Sequence, residues 1–338
     1  MNLSTSKATE MCTEMFGDKF TQPLADTIGL SSARLYQIFK MKTVPVKTAK
    51  KIVEAFQEFK ANGGVAVAAN DPNAALSDVE IRDRIRKRFH TMNRMATGMV
   101  EGKIRSLIIS GAPGIGKTYD LEKLLKAAER NGTLKQHEII KGTISGPGLF
   151  QALHRNRFEN SVLVLDDTDA VFGDEDTLNI LKTALDTSDE RHITWSKNSK
   201  WISEDDGEEA VGDTYPRTFE FKGGVIFITN KNFEAELQKD TKLAPHFNAL
   251  MSRSMFLNLT LHSVRDKLIR IEDIFMNNMV KMHGLTQTEG QEVLQFVKTN
   301  ANRFHELSLR LMLHITQLRA MGDDWKQLVE DTKMKVVF

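Results

Sequence analysis

The sequence of 338 residues lacks several features that would assign it to common protein classes. It has one cysteine, Cys12, which excludes an internal disulfide and predicts a reducing cytoplasm. There is no run of about 18 apolar residues, and the opening MNLSTSKATEMCTEMF has no apolar core ahead of a cleavage site, so we expect neither membrane span nor export. The nine histidines include no close pair at metal-ligand spacing, which disfavours a zinc site.

The charged residues are balanced overall but unevenly distributed. The net charge is +1, with 27% charged and 41% hydrophobic residues, as in an ordinary folded protein long enough for two or three compact units. Between Lys19 and Lys51, however, seven basic residues accompany one acid, Asp26. Such a local excess of positive charge attracts phosphate groups.

A glycine-rich stretch, SGAPGIGKTYDLEKLL, begins at Ser110. It follows the apolar run IRSLIIS, of strand length, and precedes leucines at helical spacing. Strand, glycine loop and helix form a phosphate site, because backbone N–H groups surround the anion at the positive end of the helix dipole. The residues that fit the G-x-x-x-x-G-K-[ST] pattern are Gly111, Ala112, Pro113, Gly114, Ile115, Gly116, Lys117 and Thr118. We expect Lys117 to reach the outer phosphates of ATP and Thr118 to ligate Mg²⁺.

Two further strand-like segments end in polar residues. SVLVLDDTD, from Ser161 to Asp169, reads as a buried parallel strand ending at its functional edge. We expect Asp166 to hold the magnesium shell and Asp167 to orient the attacking water. The segment GVIFITN ends at Asn230, which we expect to contact the terminal phosphate or its water.

The order GAPGIGKT, VLVLDD, FITN and then ALMSRS resembles AAA+ ATPases over about residues 78–335. The resemblance implies an ATP-hydrolysing P-loop core whose nucleotide-binding stretch runs through Tyr119. It also implies that Asn230 is sensor 1 and that Arg253 is an arginine finger, a cation inserted into the neighbouring subunit's site. A finger requires self-assembly into a ring, typically hexameric, or a helical filament.

The sequence departs from the family at the second acid of VLVLDD, a position that is usually glutamate. Asp167 is one methylene shorter, so Asp169 is a rival for positioning the water. Turnover is then expected to be slow or stimulated by a partner.

Helical patterns fill the chain after Ser263, at residues 263–282, 291–298 and 305–319, and again at the WKQL stretch. This all-helical tail resembles the AAA+ lid. The resemblance implies Arg310 as the sensor 2 cation, with Arg303 as the alternative.

An insertion at residues 191–222 predicts two strands joined by an exposed tip. Ile193 and Trp195 alternate in one strand, and Phe219 and Phe221 in the other. Several AAA+ branches and the viral superfamily 3 helicases carry such a hairpin before sensor 1. In that position the charges of Lys197 and Lys200 would contact a nucleic-acid strand, and the ring of Trp201 would stack on its bases. The acidic EDDGEE segment opposes this and reads as a solvated loop.

The front of the chain, TQPLADTIGLSSARLYQIFK, reads as a helix-turn-helix of the Cro and repressor type, with a turn at Gly29 and a second helix capped by Ser31. The residues expected to contact DNA are Ser32, Arg34, Tyr36, Gln37 and Lys40. A protein-docking role remains the alternative. Six basic residues from Arg82 to Arg94 add charge on a predicted helix that follows.

Together these patterns predict an α/β fold: an AAA+ P-loop core with a parallel sheet and flanking helices, an all-α C-terminal lid and a small all-α N-terminal domain. The predicted boundaries are 1–60 for the helix-turn-helix domain, 61–77 for a linker, 78–260 for the nucleotide-binding domain and 261–338 for the lid.

The function that follows is an ATP-dependent, oligomeric DNA-binding ATPase of replication, recombination or transposition, from a phage or mobile element. The layout resembles that of phage Mu transposition protein B. The alternatives are an AAA+ remodeller of other proteins, whose N-terminal domain is an adaptor, and a transcriptional regulator that binds ATP as a signal. ATPase assays with DNA and with unfolded protein separate the three.

Overall fold

A computed structural model describes residues 3–16, 20–28, 30–61, 73, 75–169, 171, 174–203, 214–231, 233 and 244–335. The chain divides into two compact units. One comprises Met1–Ile85 with Leu261–Phe338, and the other Arg86–Thr260.

The second unit is built on a five-stranded, fully parallel sheet. Its strands are β3 (Ser106–Ser110), β4 (Gln136–Lys141), β5 (Ser161–Asp166), β8 (Gly224–Thr229) and β9 (Met255–Asn258), in the spatial order β4-β5-β8-β3-β9. Every residue of β3 and β5 is buried, as expected for strands covered on both faces. This parallel sheet, with a glycine loop after β3 and an acidic pair at the end of β5, confirms the predicted α/β fold class.

Helices cover this sheet and connect its strands. They are α5 (Asp78–Val100), which begins in the first unit, α6 (Lys117–Arg130), α7 (Gly146–Arg155), α8 (Glu175–Ala184) and α9 (Ala244–Arg253). Several begin at the side chains that favour helix starts. Ser145 caps α7 by accepting from the Gly148 amide, and Asp174 caps α8 by accepting from the Thr177 amide.

The predicted hairpin is present. Strands β6 (His192–Thr194) and β7 (Thr218–Glu220) pair antiparallel, with Ile193 opposite Phe219. The acidic segment at its predicted tip, 204–209, lies outside the described residues.

The structure bears on the nucleic-acid role expected of the hairpin. Trp201 does not offer a free ring for stacking on bases, because it packs against Phe150, Trp195 and Tyr215 at ring-centroid distances of 5.6, 5.0 and 6.4 Å. These aromatic contacts join the hairpin to α7 and to the core. Lys197 forms an ion pair with Asp176, whereas Lys200 is exposed.

The C-terminal segment of the first unit is helical, as predicted. It comprises α10 (Val264–Ile274), a π-helical turn (Phe275–Met279), α11 (Val280–Met282), α12 (Gln287–Thr299), α13 (Leu309–Arg319) and α14 (Trp325–Lys333). Helix α13 begins four residues later than predicted, because Ser308 is extended and caps it by accepting from the Leu311 amide.

The N-terminal segment of the same unit has its own apolar core. Helices α1 (Thr5–Phe16), α2 (Thr21–Ile28), α3 (Ser32–Phe39) and α4 (Val46–Ala61) pack together with the short strands β1 (Leu3–Ser4) and β2 (Thr43–Val44). Ser31 caps α3 as predicted, by accepting from the Arg34 amide at 3.2 Å. Gly29, expected at the turn between α2 and α3, lies outside the described residues, as does linker segment 62–72.

None of the helices in the described ranges combines the length and the apolar content that a bilayer crossing requires.

Candidate nucleotide site

The loop between β3 and α6 owes its shape to glycine. Gly114 and Gly116 have φ angles of 68° and 99°, in the left-handed region that other residues rarely adopt. Gly116 directly precedes α6, so the loop turns into the positive end of the helix dipole. Both features are expected of a phosphate-binding loop.

Lys117 lies almost wholly buried at the start of α6, with 6% of its surface exposed. Its Nζ donates to the carbonyl oxygens of Gly111 and Ala112 at 2.5 and 3.0 Å, and to Oδ1 of Asn230 at 2.9 Å. The amine is thus held inside the loop by three oxygens. A phosphate entering the loop would offer the same ammonium a charged acceptor in place of neutral ones.

Asn230 follows the last residue of β8 and connects the lysine to an acid. While its Oδ1 accepts from Lys117, its Nδ2 donates to Oδ1 of Asp167 at 2.7 Å. Three residues predicted from separate motifs therefore form one hydrogen-bonded chain. They meet because parallel neighbouring strands present their carboxyl ends at the same edge of the sheet.

Two consecutive aspartates end β5 and differ in environment. Asp166 is buried, and its Oδ2 accepts from Thr118 Oγ1 at 3.0 Å. Asp167 is exposed and has a φ of 53°, a left-handed conformation that aspartate tolerates better than most residues. Its amide donates to the Ile228 carbonyl at 3.0 Å, which holds this conformation and directs the carboxylate toward Asn230.

Asp169, the rival of Asp167, is engaged elsewhere. Its Oδ1 accepts from the hydroxyl of Thr229 at 2.7 Å, and that hydroxyl in turn accepts from the Lys231 amide. Asp169 therefore braces the end of β8, while Asp167 contacts the residue that follows it. The sequence favoured Asp167 through the family resemblance and left Asp169 as a rival.

Burial sets the electrostatics of the site. It lowers the pKa of Lys117 from 10.5 to about 8, although the nearby charges of Asp167, Asp166 and Asp169 act in the opposite direction. Burial also raises the pKa of Asp166, an effect that the Thr118 hydrogen bond opposes. Both residues carry charge at a desolvation cost, which a bound triphosphate and its cation would offset.

The residues present fit a magnesium ion. The hydroxyl of Thr118 and the carboxylate of Asp166 are hard oxygen donors already within hydrogen-bonding distance of each other. Mg²⁺ in nucleotide sites takes one or two such protein ligands and completes its shell with phosphate and water.

Arg253 lies at the other end of the sheet. It precedes β9, whose first residue, Met255, is in register with Leu107 near the start of β3, and its carbonyl accepts from Ser106 Oγ at 2.7 Å. The glycine loop follows Ser110, so about 13 Å of strand separates Arg253 from the loop. Its side chain turns to its own helix, where Nη1 donates to the Ala249 carbonyl at 3.1 Å, and Nε lies 3.7 Å from Oδ1 of Asp186 in an ion pair. Arg253 does not contact the nucleotide loop of its own chain.

The remaining predicted residues are distributed as follows. Tyr119 is exposed in the first turn of α6, with 59% of its surface accessible. Arg310 and Arg303 are exposed in the first unit, where Arg303 pairs with Glu330 at 3.2 Å.

On α3, the predicted DNA-contacting residues Arg34, Tyr36, Gln37 and Lys40 are exposed, and Ser32 is half-buried.

A relative is known for this chain, although no protein-family model matches it. In Enterobacteria phage T4, the "uncharacterized 36.7 kDa protein in nrdC-mobD intergenic region" is 45% identical over 251 residues, 74% of each chain. The chain belongs to the family of this T4 protein. The relative is a phage protein, in agreement with the phage or mobile-element origin that the sequence predicted.

Solved structures resemble this member of the T4 36.7 kDa protein family only at low similarity. NtrX from Brucella abortus is 14% identical in its ADP complex and 13% in its ATP complex, with TM-scores of 0.39 and 0.40. Both matches cover 91% of this chain. They cover 59% of the NtrX chain in the ADP complex and 62% in the ATP complex, so this chain spans less than two thirds of NtrX. Rhizobiales Trip13 is 12% identical, with a TM-score of 0.36, over 75% of this chain and 96% of its own.

Proposed function

We propose that this protein is an oligomeric AAA+ ATPase that acts on DNA in replication, recombination or transposition and hydrolyses ATP at the boundaries between subunits. One observation carries the proposal. A single chain contains a glycine loop joined by hydrogen bonds to Asn230 and to the acidic pair at the end of β5, together with an arginine whose backbone lies a strand length away from that loop.

The binding step uses the loop and its lysine. Backbone amides of Gly111 to Thr118 would surround the phosphates of ATP, and Tyr119 would lie beside the nucleotide. The ammonium of Lys117 would exchange the Asn230 oxygen for a phosphate oxygen. Thr118 and Asp166 would hold Mg²⁺, which supplies charge neutralisation of the phosphates when bound.

In the hydrolysis step Asp167 would orient the attacking water, because it is the exposed acid next to Asn230 while Asp169 is occupied by Thr229. Release of Asn230 from Lys117 frees its amide to follow the terminal phosphate, as sensor 1. Arg310 is the candidate sensor 2 cation of the lid. Because Asp167 stands where AAA+ ATPases usually have glutamate, we expect the basal rate of ATP hydrolysis to be slow.

The position of Arg253 supports self-assembly. A guanidinium that is a strand length from its own loop can offset charge on a transferred phosphoryl group only in another subunit. The side chain is 36% exposed, so a second copy has access to it. Either of two assemblies would bring Arg253 to a neighbouring site. One is a ring, which in AAA+ ATPases is typically hexameric, and the other is a helical filament.

Action on DNA is supported by the surface of α3. Tyr36 is 58% exposed, and the Lys40 ammonium lies 4.4 Å from its ring centroid. With Arg34 and Gln37 also exposed, this face offers cationic, aromatic and amide groups to phosphates and base edges.

Complementation between defective subunits tests the proposal. Arg253→Ala and Asp167→Ala should each bind ATP but lose turnover, and a mixture of the two should recover activity, because intact sites then meet intact fingers. A mixture that stays inactive, although both variants assemble, would refute hydrolysis across a boundary.

The substrate is tested with the same assay. ATPase rates are compared without addition and with double-stranded DNA, single-stranded DNA or an unfolded protein. Stimulation by DNA supports the proposal. Stimulation by unfolded protein alone indicates a protein remodeller, and tight ATP binding without turnover in any condition indicates a nucleotide-gated regulator.

A further inference from the structure

We propose that Asp186 is a positioning residue for the arginine finger, holding the Arg253 guanidinium in the orientation in which a neighbouring subunit's phosphate meets it. The inference rests on the proposed function and extends it to a residue that no motif identifies.

The carboxylate of Asp186 is itself held in place. It lies just beyond α8, after the buried cap residue Leu185. Its Oδ1 accepts from the Thr187 amide at 2.9 Å, and its Oδ2 accepts from the Ser188 hydroxyl at 3.3 Å. Both oxygens are therefore fixed by the turn that ends the helix, so the carboxylate is a defined anchor point.

Arg253 is held at three places, and one of them is this carboxylate. The Ser106 hydroxyl fixes its backbone carbonyl, the Ala249 carbonyl accepts from Nη1, and Oδ1 of Asp186 lies 3.7 Å from Nε. Nη2 takes part in none of these contacts. A guanidinium has five N–H donors, so anchoring at Nε and Nη1 leaves donors for a phosphate.

Asp186 also lies close enough to a second arginine to act on its charge. The buried guanidinium of Arg191 donates to the Ala184 carbonyl at 2.6 Å and so fixes the end of α8. Burial lowers the pKa of Arg191 to about 10, and the positive charge of Arg105 acts in the same direction while Asp186 opposes it. Asp186 thus supplies negative charge to Arg191 as well as to Arg253.

Helix α8 connects Asp186 to the acidic pair of the same chain. Helix α8 begins at Glu175, a few residues after the acids Asp166 and Asp167, and ends just before the turn that carries Asp186. The finger of one subunit is therefore anchored to the element that follows its own acidic motif.

Steady-state kinetics of Asp186→Asn in the full chain test the inference. Asparagine keeps the side-chain size and an oxygen for the Thr187 amide but removes the charge. We expect kcat to fall roughly 10- to 100-fold, since misplacement of a reacting group by about 1 Å costs up to 10²-fold, while KM for ATP is unchanged. Asp186→Glu, which keeps the charge, should retain more activity than Asp186→Asn.

Mixing experiments separate positioning from general damage. Asp186→Asn mixed with Asp167→Ala should recover activity, because intact sites meet intact fingers. Asp186→Asn mixed with Arg253→Ala should not recover, since both lack a working finger. The matched control is Asp189→Asn, whose carboxylate lies 3.6 Å from Arg105 and forms no described pair with Arg253; it should leave kcat unchanged.

The outcomes distinguish the two proposals. Wild-type or higher kcat in Asp186→Asn, or a loss equalled by Asp189→Asn, overturns the positioning inference while leaving the finger intact. Lack of recovery for Arg253→Ala mixed with Asp167→Ala overturns the finger itself.

Discussion

Replacing Lys117 with methionine should make the ATP-free protein more stable while abolishing its response to ATP. The side chain is 6% exposed, and burial lowers its pKa from 10.5 to about 8. A lysine with a lowered pKa destabilises the fold while it is charged. That cost is complete below about pH 8 and fades as the pH rises toward 10.5.

The magnitude follows from the size of the shift. At 1.36 kcal/mol per pH unit, the displacement from 10.5 to about 8 corresponds to about 3 kcal/mol of destabilisation at pH 7. Methionine removes this cost but forfeits the hydrogen bonds to the two loop carbonyls and Asn230, which together offset part of the gain. We expect a net increase of about 1 to 2 kcal/mol in the free energy of unfolding, or roughly 4 °C in Tm.

Thermal unfolding at pH 7, with and without ATP and magnesium, measures both effects. Wild type should gain about 2.7 kcal/mol at an ATP concentration 100 times Kd, and Lys117→Met should gain nothing. The control is Lys126→Met, on the same helix, which removes an exposed ion pair with Glu122 at 2.6 Å. It should change stability by less than about 1 kcal/mol and keep the ATP response.

Two results would contradict this reasoning. A Lys117→Met protein less stable than wild type without ATP would mean that the hydrogen bonds of the amine outweigh its desolvation. A preserved ATP response would mean that Lys117 does not bind phosphate. The stability advantage of the variant should also shrink between pH 8 and pH 10, and an advantage that grows with pH would have the wrong sign.

Four further outcomes are expected. ATP binding to wild type should weaken above about pH 8 and be accompanied by proton uptake in calorimetry, since the phosphate restores charge to Lys117; affinity independent of pH up to 10 would oppose this. Asn230→Ala should retain ATP affinity but lose turnover, and loss of affinity alone would contradict its place between the lysine and Asp167. Arg34→Ala with Lys40→Ala should weaken DNA binding and reduce its salt slope by about 2, whereas unchanged binding would favour a docking role. Phe219→Ala should lower the free energy of unfolding by about 3 to 5 kcal/mol, and a cost below 1 kcal/mol would show that the hairpin is not anchored through this ring.

Local sequence patterns predicted three of the five strands of the central sheet and most of the site. The strands β3, β5 and β8 are continuous apolar runs because both their faces are covered. The strands β4 and β9 were missed because they form the edges of the sheet. They are less buried, so their sequences lack a continuous apolar signal.

The sequence by itself identified the residues of the candidate site, because the spacing of Gly111 to Thr118 and the acidic pair at the end of β5 are local patterns typical of phosphate-binding loops and of strand ends. Tertiary structure alone decided which of two neighbouring acids meets Asn230, that Trp201 is packed against aromatic rings, and that Asp186 lies beside Arg253. These depend on residues far apart in the chain, whose proximity arises from sheet register and helix packing. No local pattern records such distances.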